Sequence, residues 1–213
     1  MSLIRLVRFA LALCLLSIPA SSLASEIERR DGVWELKSAG IVYRLRVQDD
    51  SLWLDYFGPE SGPAWKTPKD APVADIAGRV EGQGVSPAEL QIIEHDVRPA
   101  GFGSQAGRFL LRHRRLPLEI EAVYGVWGDT GVFTRRLTVT NRGDKTLRLE
   151  SLPALALMLP VGEYKLSYLW GGWGQERQLA TERLGPGRRA FISNRGRSTS
   201  MFSPWFGLRN ATL

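Results

Sequence analysis

Two tryptophans near the carboxyl end of the chain have a spacing that suits sugar binding. Trp170 and Trp173 are separated by two glycines, and Glu176 and Arg197 follow them. A flat indole face stacks on the C–H side of a pyranose ring, and carboxylate and guanidinium groups hydrogen-bond its hydroxyls. The pattern predicts a carbohydrate-binding site made of Trp170, Trp173, Glu176 and Arg197. The alternative is that both indoles are buried in the core or pack against a neighbouring domain, as large aromatic side chains usually do.

Other candidate residues for catalysis are few. Glu119 and Glu121 lie two residues apart, and therefore on one face of a strand, where we expect them to face water. His95 and His113 are isolated, and each is more typical of a surface or hydrogen-bonded core residue than of a metal ligand. The sequence has no Gly-rich phosphate loop, serine elbow or metal-ligand cluster. We therefore predict no catalytic residue, no metal site and no cofactor, and no enzymatic activity from this chain alone.

The amino terminus has the features of an export signal. Arg5 and Arg8 give it a positive start, residues 9–18 are apolar, and small residues precede a cleavage position after Ala24. The apolar run is shorter than the roughly 20 residues that span a membrane. We predict a signal peptide over 1–24, a periplasmic or extracellular location, and no membrane attachment after cleavage.

Composition and charge exclude several classes of protein. The 213 residues include 28 basic and 22 acidic side chains, and the formal net charge is +6. The basic residues are scattered, with one dense cluster at 112–115, so nucleic-acid binding is not predicted. Cys14 is the only cysteine and lies in the predicted signal, which excludes a disulfide scaffold and a cysteine-based zinc site. A hydrophobic content of 44% excludes a wholly disordered chain.

The body of the chain alternates between apolar and polar residues, as half-buried β-strands do. Alternating segments occupy residues 41–47, 52–57, 118–124, 133–140 and 147–151. Short strands with frequent turns, one of them at 125–131, predict an all-β protein, an antiparallel β-sandwich that fills residues 25–213 as one domain. Two segments break the rhythm. We predict a long loop or irregular excursion over 58–87, and a buried strand over 152–160.

Two motifs near the carboxyl end resemble those of a known family. Residues 170–176 match an aromatic-Gly-x-Trp-x-x-Glu segment, and residues 193–204 match most of a Ser-x-x-Gly-x-Ser-Ser segment followed by a proline. Upstream, residues 135–144 and 149–160 resemble the strand, hairpin and leucine-rich segment that precede these motifs. The ordered set resembles the amino-terminal domain of the family 36 glycoside hydrolases, the bacterial and fungal α-galactosidases, over about 133–208.

The resemblance implies a β-supersandwich domain that precedes a (β/α)8 barrel. In the family, two aspartates of the barrel perform retaining hydrolysis of terminal α-galactosides. A barrel needs roughly 200 residues or more, so we expect this chain to lack it and to be an incomplete part of such an enzyme. Residues 61–65 depart from the Gly-x-Gly-Asp-Phe-Arg stretch that the family commonly has near this region.

Three functions remain open at this point. The first is a non-catalytic amino-terminal domain of an α-galactosidase-like enzyme, which packs on a barrel in cis or in trans, shapes its rim and supports a homo-oligomer. The second is a free-standing protein that binds an α-galactoside or another carbohydrate. The third is a structural fragment with no ligand of its own.

Overall fold

The computed structural model describes residues 26–61, 73–102, 104–155, 157, 159, 162–192 and 201–211. This part of the chain is all-β, with fifteen strands and no helix, as predicted. None of it therefore forms an apolar helix long enough to cross a membrane. The chain divides into two compact units, Met1–Leu157 and Met158–Leu213. The predicted signal peptide at 1–24 lies outside the described residues, and both it and the single domain over 25–213 stay predictions.

The first sheet of the first unit contains five antiparallel strands in chain order. They are β1 (Glu26–Arg30), β2 (Val33–Ser38), β3 (Ile41–Gln48), β4 (Ser51–Pro59) and β5 (Val73–Ala74). The hairpin that alternation predicts from 41–47 and 52–57 is β3 and β4. Its two loop residues, Asp49 and Asp50, have φ angles of 50° and 56°. Left-handed backbone at both positions is what a two-residue hairpin loop requires, and aspartate tolerates it well.

The second sheet of the first unit contains four antiparallel strands. They are β8 (Leu90–Pro99), β9 (Gln105–His113), β10 (Leu118–Trp127) and β11 (Val132–Asn141), in the order β11-β10-β9-β8. The strands predicted at 118–124 and 133–140 are confirmed as β10 and β11. The turn predicted at 125–131 is shorter than expected, because β10 continues to Trp127 and pairs it with Val132.

A third, smaller sheet lies within the segment predicted to be a long loop. It is built from β6 (Gly78–Val80), β7 (Gln83–Val85) and β12 (Leu149–Ser151), in the order β12-β6-β7. The loop predicted over 58–87 is therefore wrong in part. Its apolar residues Val73, Ile76, Val80 and Val85 are buried in the core. Strands of two or three residues are too short for a period of two to be visible in the sequence.

One hydrophobic core joins the two large sheets. The first sheet places Trp34, Leu36, Leu45 and Leu54 in it, and the second places Phe109, Leu111, Ile120 and Val126 in it. The rings of Trp34 and Phe109 meet edge to face, with centroids 4.7 Å apart. Two antiparallel sheets that share a core are consistent with the predicted sandwich.

The segment predicted as a buried strand over 152–160 is not one. Its described residues form no strand, and the side chain of Leu155 is 49% exposed. Pro153 has no N–H for a sheet ladder, and the carbonyl of Ala154 accepts a hydrogen bond from the Arg135 guanidinium instead of from a strand. Leu152 and Leu157 pack against the core of the first unit without joining a sheet.

The second unit is a three-stranded antiparallel sheet. Its strands are β13 (Tyr164–Gly172), β14 (Gln175–Leu184) and β15 (Met201–Asn210), in the order β14-β13-β15. The rings of Tyr168, Phe191 and Phe202 pack together on it. The ring centroid of Phe191 lies 4.5 Å from that of Tyr168 and 5.1 Å from that of Phe202, and the centroids of Tyr168 and Phe202 are 6.0 Å apart. The register between β13 and β15 shifts between Tyr168 and Trp170, opposite Pro204. Proline is tolerated at such an irregularity because it has no N–H to donate to the neighbouring strand.

The sequence predicts that Glu119 faces water, and this prediction is wrong. Its side chain is 6% exposed, and its carboxylate lies 2.5 Å from Arg142 Nη2 and 3.5 Å from Arg112 Nη2. Arg112 lies on β9 directly opposite Glu119, and Arg142 is the residue after β11. The two arginines that cover the Glu119 carboxylate therefore come from neighbouring strands. Glu121 is half-buried and accepts a hydrogen bond of 2.6 Å from Arg108 Nε. Alternation within one strand does not reveal such cross-strand partners.

Glu119 should make the stability of the protein depend on acid. The hydrogen bond from Arg142 lowers the pKa of Glu119 below its ordinary value, against the opposing effect of burial. A lowered pKa stabilises the folded state above the unfolded value of about 4.3, and this stabilisation is lost as the pH falls through the folded pKa. We expect the free energy of unfolding of Glu119→Gln to vary less between about pH 5 and pH 2 than that of the wild type.

Urea denaturation at a series of pH values measures this difference. Glu94→Gln is the control, because its carboxylate on β8 is more than half exposed and pairs with Arg108. Its removal should change the free energy of unfolding by less than about 1 kcal/mol. Identical slopes for Glu119→Gln and the wild type would show that the pair with Arg142 does not stabilise the fold.

Candidate functional site

The residues predicted to bind sugar lie on one β-hairpin of the second unit. Trp170 is near the end of β13, Trp173 and Gly174 connect the strands, and Glu176 is the second residue of β14. Glu176 Oε1 accepts a hydrogen bond of 3.1 Å from the backbone N–H of Gly174. Arg197 lies outside the described residues, so whether it joins the other three stays open.

The hairpin geometry depends on Gly171. Its φ angle is 154°, and a Cβ atom there would lie 2.0 Å from the carbonyl oxygen of Gln175. No L-residue with a side chain fits such a position without movement of the backbone. Gly172 has nothing within 4 Å of a built Cβ and is not constrained in this way. Of the two glycines between the tryptophans, the first is the one that the structure requires.

Both tryptophans of the hairpin expose apolar surface. The side chain of Trp173 is 96% exposed and that of Trp170 is 47% exposed. The alternative that both are buried in the core is therefore wrong for Trp173 and only half true for Trp170. Trp170 and Gly171 are strand residues, whereas Trp173 lies in the turn that follows β13. Large apolar groups in water at the end of a hairpin are available to a ligand or a partner.

A second candidate site is buried in the first unit and contains four polar side chains. Asp75 follows β5, Tyr43 lies on β3, Tyr124 on β10 and Arg135 on β11. Asp75 Oδ1 accepts a hydrogen bond of 2.6 Å from the Tyr43 hydroxyl, and its Oδ2 accepts one from the Tyr124 hydroxyl. Arg135 Nη2 donates to Asp75 Oδ2 at 2.9 Å and to the Asp75 carbonyl at 2.7 Å. We call these four residues the Asp75 network.

The Asp75 network connects the two large sheets through hydrogen bonds. Burial raises the pKa of the Tyr43 and Tyr124 hydroxyls well above the ordinary value near 10, and the Asp75 carboxylate raises it further. Both hydroxyls therefore stay protonated and donate. The Arg135 guanidinium lies 5.5 Å from the centre of the Tyr124 ring, a cation–π distance. The network thus holds a buried ion pair with two neutral donors.

A cavity of about 260 Å³ lies beside the Asp75 network. Its walls come from both large sheets and from the segment after β12. They are formed by Leu36, Tyr43, Phe57, Tyr124, Gly125, Phe133, Thr134, Arg135, Ala154, Leu155 and Leu157. The walls are mainly apolar and aromatic, and Arg135 is the one charged residue among them.

The Asp75 network is not predicted from the sequence, although one signal for it exists. Arg135 shares its side of β11 with Phe133 and Leu137, which is the apolar side of that strand. An arginine in a core-facing position needs a carboxylate partner. The sequence does not say which carboxylate, because Asp75 lies 60 residues away in the segment predicted to be a loop.

The two histidines, His95 and His113, have structural roles. Nδ1 of His113 accepts hydrogen bonds of 3.1 Å from the N–H groups of Arg115 and Leu116, and its Nε2 lies 3.2 Å from the Gly84 carbonyl. His113 is therefore a hydrogen-bonded core residue. The ring of His95 packs edge-on against Trp34 at 5.4 Å. Within the described ranges, no three His, Cys, Asp or Glu side chains lie close enough together to hold a metal ion.

A family model with the description "Glycosyl hydrolase family 36 N-terminal domain" matches residues 86–212, more than half of the chain. The chain belongs to this family. The match covers the second large sheet, β12 and the whole three-stranded sheet of the second unit, including the tryptophan hairpin. The resemblance inferred from the motifs is confirmed, and the protein carries a family 36 amino-terminal domain.

Curated relatives of the family 36 domain are α-galactosidases. Alpha-galactosidase C of Emericella nidulans is 29% identical in an alignment 208 positions long that covers 80% of this chain and 28% of the relative. The bifunctional alpha-galactosidase/sucrose kinase AgaSK of Mediterraneibacter gnavus is 27% identical in an alignment 135 positions long that covers 57% of this chain and 14% of the relative. The family 36 domain therefore spans less than a third of each of these relatives.

Solved structures share the fold of the family 36 domain. The galactosidase domain of AgaSK matches 87% of this chain and 33% of its own length, with a TM-score of 0.67 and 19% identity. The family 36 α-galactosidase AgaB of Geobacillus stearothermophilus matches with a TM-score of 0.64 and 18% identity, over 87% of this chain and 32% of that one. The chain thus corresponds to about a third of these molecules, and its described residues contain no (β/α)8 barrel.

Proposed function

We propose that the family 36 domain packs on a (β/α)8 barrel of an α-galactosidase-like glycoside hydrolase and shapes the rim of its active site. The family match over residues 86–212 is the observation that carries this proposal. It is supported by relatives whose names are α-galactosidases and of which this chain covers under a third. In this proposal the barrel is joined in cis or in trans, it supplies the catalytic carboxylates, and the domain supplies none.

The surface of the second unit supports a packing role. Leu179 on β14 and Trp205 and Phe206 on β15 expose 64%, 48% and 58% of their surface. Together with Trp170 and Trp173 they are large apolar side chains of the second unit that lie partly or mostly in water, on both faces of its sheet. Large exposed apolar areas mark interaction sites in soluble proteins. Aromatic side chains are enriched in the buried centres of such sites.

The first experiment is to purify the native protein with an antibody against this domain. Intact mass, native mass and hydrolysis of 4-nitrophenyl α-galactoside are then measured on the same material. We expect either a chain much larger than 23.7 kDa with activity, or a short chain that co-purifies with an active barrel subunit. The native mass also reports a homo-oligomer. A short chain that is monomeric, alone and inactive would contradict the proposal.

The same material tests the proposed export of the domain. Removal of residues 1–24 should leave Ser25 as the first residue, read by amino-terminal sequencing. The mature protein should be found in the periplasmic or extracellular fraction. An intact amino terminus in the cytoplasmic fraction would contradict export without affecting the packing proposal.

A second candidate function is carbohydrate binding by the tryptophan hairpin. The observation that favours it is the 96% exposure of Trp173 at the hairpin end, next to Trp170 and Glu176. An exposed indole and a carboxylate match the chemistry of a pyranose, whose C–H face is apolar and whose edge carries hydroxyls. Arg197 is proposed as a further hydrogen-bond donor to the sugar.

Trp173→Ala tests the second candidate function. Because Trp173 is almost fully exposed, we expect the variant to keep the free energy of unfolding within about 0.5 kcal/mol of the wild type. If the hairpin binds sugar, titration with galactose or melibiose changes the tryptophan fluorescence of the wild type in a saturable way, and Trp173→Ala abolishes that change. Trp205→Ala on β15 is the control and keeps it. A wild type that shows no saturable change at high millimolar sugar would rule out this second function.

A further inference from the structure

We propose that a surface cleft of the first unit binds a free aromatic amino acid through Asp49, Arg114 and Trp53. The cleft has a volume of about 310 Å³, and we call it the Asp49 cleft. It is lined by Gln48, Asp49, Ser51, Trp53, Ala88 and Arg114. It is separate from the tryptophan hairpin of the second unit, and the proposal does not depend on whether the domain is part of an α-galactosidase.

Hydrogen bonds hold the walls of the Asp49 cleft in place. One wall is the end of the β3–β4 hairpin, and the other contains the turn before β8 and the residue after β9. The Ser51 hydroxyl donates to the Pro87 carbonyl at 2.7 Å and joins the two walls. Arg114 donates from its backbone N–H to the Glu89 carbonyl at 2.8 Å and from its Nε to the Ala88 carbonyl at 3.2 Å. A site whose walls are fixed before binding loses less free energy when the ligand binds.

Two opposite charges of the cleft are open to a ligand. Asp49 and Arg114 are both exposed to water. Among the described residues, neither the Asp49 carboxylate nor the two Nη atoms of Arg114 have an ion-pair or hydrogen-bond partner, and no ion pair joins the two side chains. An ammonium group of a ligand can therefore donate to Asp49 while its carboxylate accepts from Arg114. Hydrogen bonds of this charged kind are roughly twice as strong as neutral ones.

The two charges select a zwitterion over other small molecules. An anion that Arg114 attracts is repelled by Asp49, and a cation that Asp49 attracts is repelled by Arg114. A neutral sugar meets each charge with a hydroxyl group that carries no charge of its own. An amino acid carries an ammonium and a carboxylate group on one carbon atom, so it pairs with both side chains at once.

Trp53 and the size of the cleft favour a single amino acid with an aromatic side chain. Trp53 lies on β4, is half-buried and lines the cleft. An aromatic ring packs on an indole in an offset or edge-to-face geometry, which adds to the free energy gained from the buried area. The volume of about 310 Å³ is at the lower limit of the roughly 300 to 1,000 Å³ of pockets for drug-sized ligands, so a peptide is too large.

L-Phenylalanine, 2-phenylethylamine and 3-phenylpropanoate form a matched set of probes. The second and third probes each lack one of the two charges of the first. Binding to the 213-residue protein is measured by ligand-observed NMR at low ionic strength, where surface charges are least screened. We expect L-phenylalanine to bind about two- to five-fold more tightly than either analogue, the effect of one surface ion pair. The proposal is overturned if the three probes bind equally, if L-phenylalanine does not saturate below about 50 mM, or if methyl α-galactoside displaces it.

Two neighbouring aspartates test the location of the site. Asp49→Gly removes the carboxylate that lines the cleft, and Asp50→Gly removes the next one, which does not line it. The φ angles of 50° and 56° suit glycine at both positions, so both variants should fold, as thermal unfolding checks. In Asp49→Gly the affinity for L-phenylalanine should fall to that for 3-phenylpropanoate, whose own affinity should not fall. Asp50→Gly should behave like the wild type. Wild-type affinity in Asp49→Gly, or an equal loss in both variants, would overturn the assignment to this cleft.

Discussion

Replacing Asp75 by alanine should lower the free energy of unfolding by about 3–5 kcal/mol, the range found when one partner of a buried ion pair is removed. The Asp75 side chain is 1% exposed and accepts hydrogen bonds from Tyr43, Tyr124 and Arg135. Without it, a buried guanidinium has no counter-charge and two buried hydroxyls have no acceptor. The loss should be large because all three buried donors lose their acceptor at once.

Urea denaturation followed by circular dichroism measures the loss. Asp55→Ala is the matched control, because Asp55 pairs with Arg46 at 3.0 Å on the outer face of the first sheet. Removing that surface pair should cost less than about 1 kcal/mol. Equal losses for the two variants would show that the Asp75 network does not stabilise the sandwich more than a surface ion pair does.

Replacing Trp34 by alanine should be as severe, with a loss of about 3–5 kcal/mol. Trp34 is among the largest fully buried side chains of the chain and packs edge to face on Phe109 at 4.7 Å. His95 contacts its ring from the second sheet as well, at 5.4 Å. Truncation therefore leaves a void where the two large sheets meet, and close-packed surroundings relax into such a void only in part.

Trp173→Ala provides the matched control for Trp34→Ala. The chemical change is identical, but the Trp173 side chain is almost entirely in water. The midpoint of thermal unfolding should fall by several degrees or more for Trp34→Ala and stay near the wild type for Trp173→Ala. A small effect of Trp34→Ala would mean that the core of the first unit rearranges to fill the void.

Alternation of apolar and polar residues predicts the long hairpins of this fold well. The hairpins of β3 with β4 and of β10 with β11 each place alternate apolar side chains in the core, and their turns are short. The small sheet of β6, β7 and β12 was not predictable in this way. Each of its strands has three residues, and β12 pairs with β6 at a distance of 69 positions in the sequence, Leu149 with Val80. Only tertiary contact decides that such segments pair.

The two candidate sites differ in the same way: the residues of one are close together in the sequence, and the residues of the other are far apart. Trp170, Trp173 and Glu176 are found from a local motif, and the structure places them on one hairpin. In the Asp75 network, Asp75 accepts hydrogen bonds from residues that are 32 to 60 positions away, so no local motif contains it. An arginine on the apolar side of β11 was the one visible clue. It predicts that a buried carboxylate exists without identifying it.

The position of Pro204 in β15 has a consequence for solubility. β15 is an edge strand of its sheet and exposes Trp205 and Phe206, a combination that favours pairing with a second edge and aggregation. Pro204 has no N–H to donate and lies at the register shift between β15 and β13. The irregular edge that results discourages the addition of another strand to the sheet. The same proline that marks the family motif thus protects the sheet against intermolecular β-pairing.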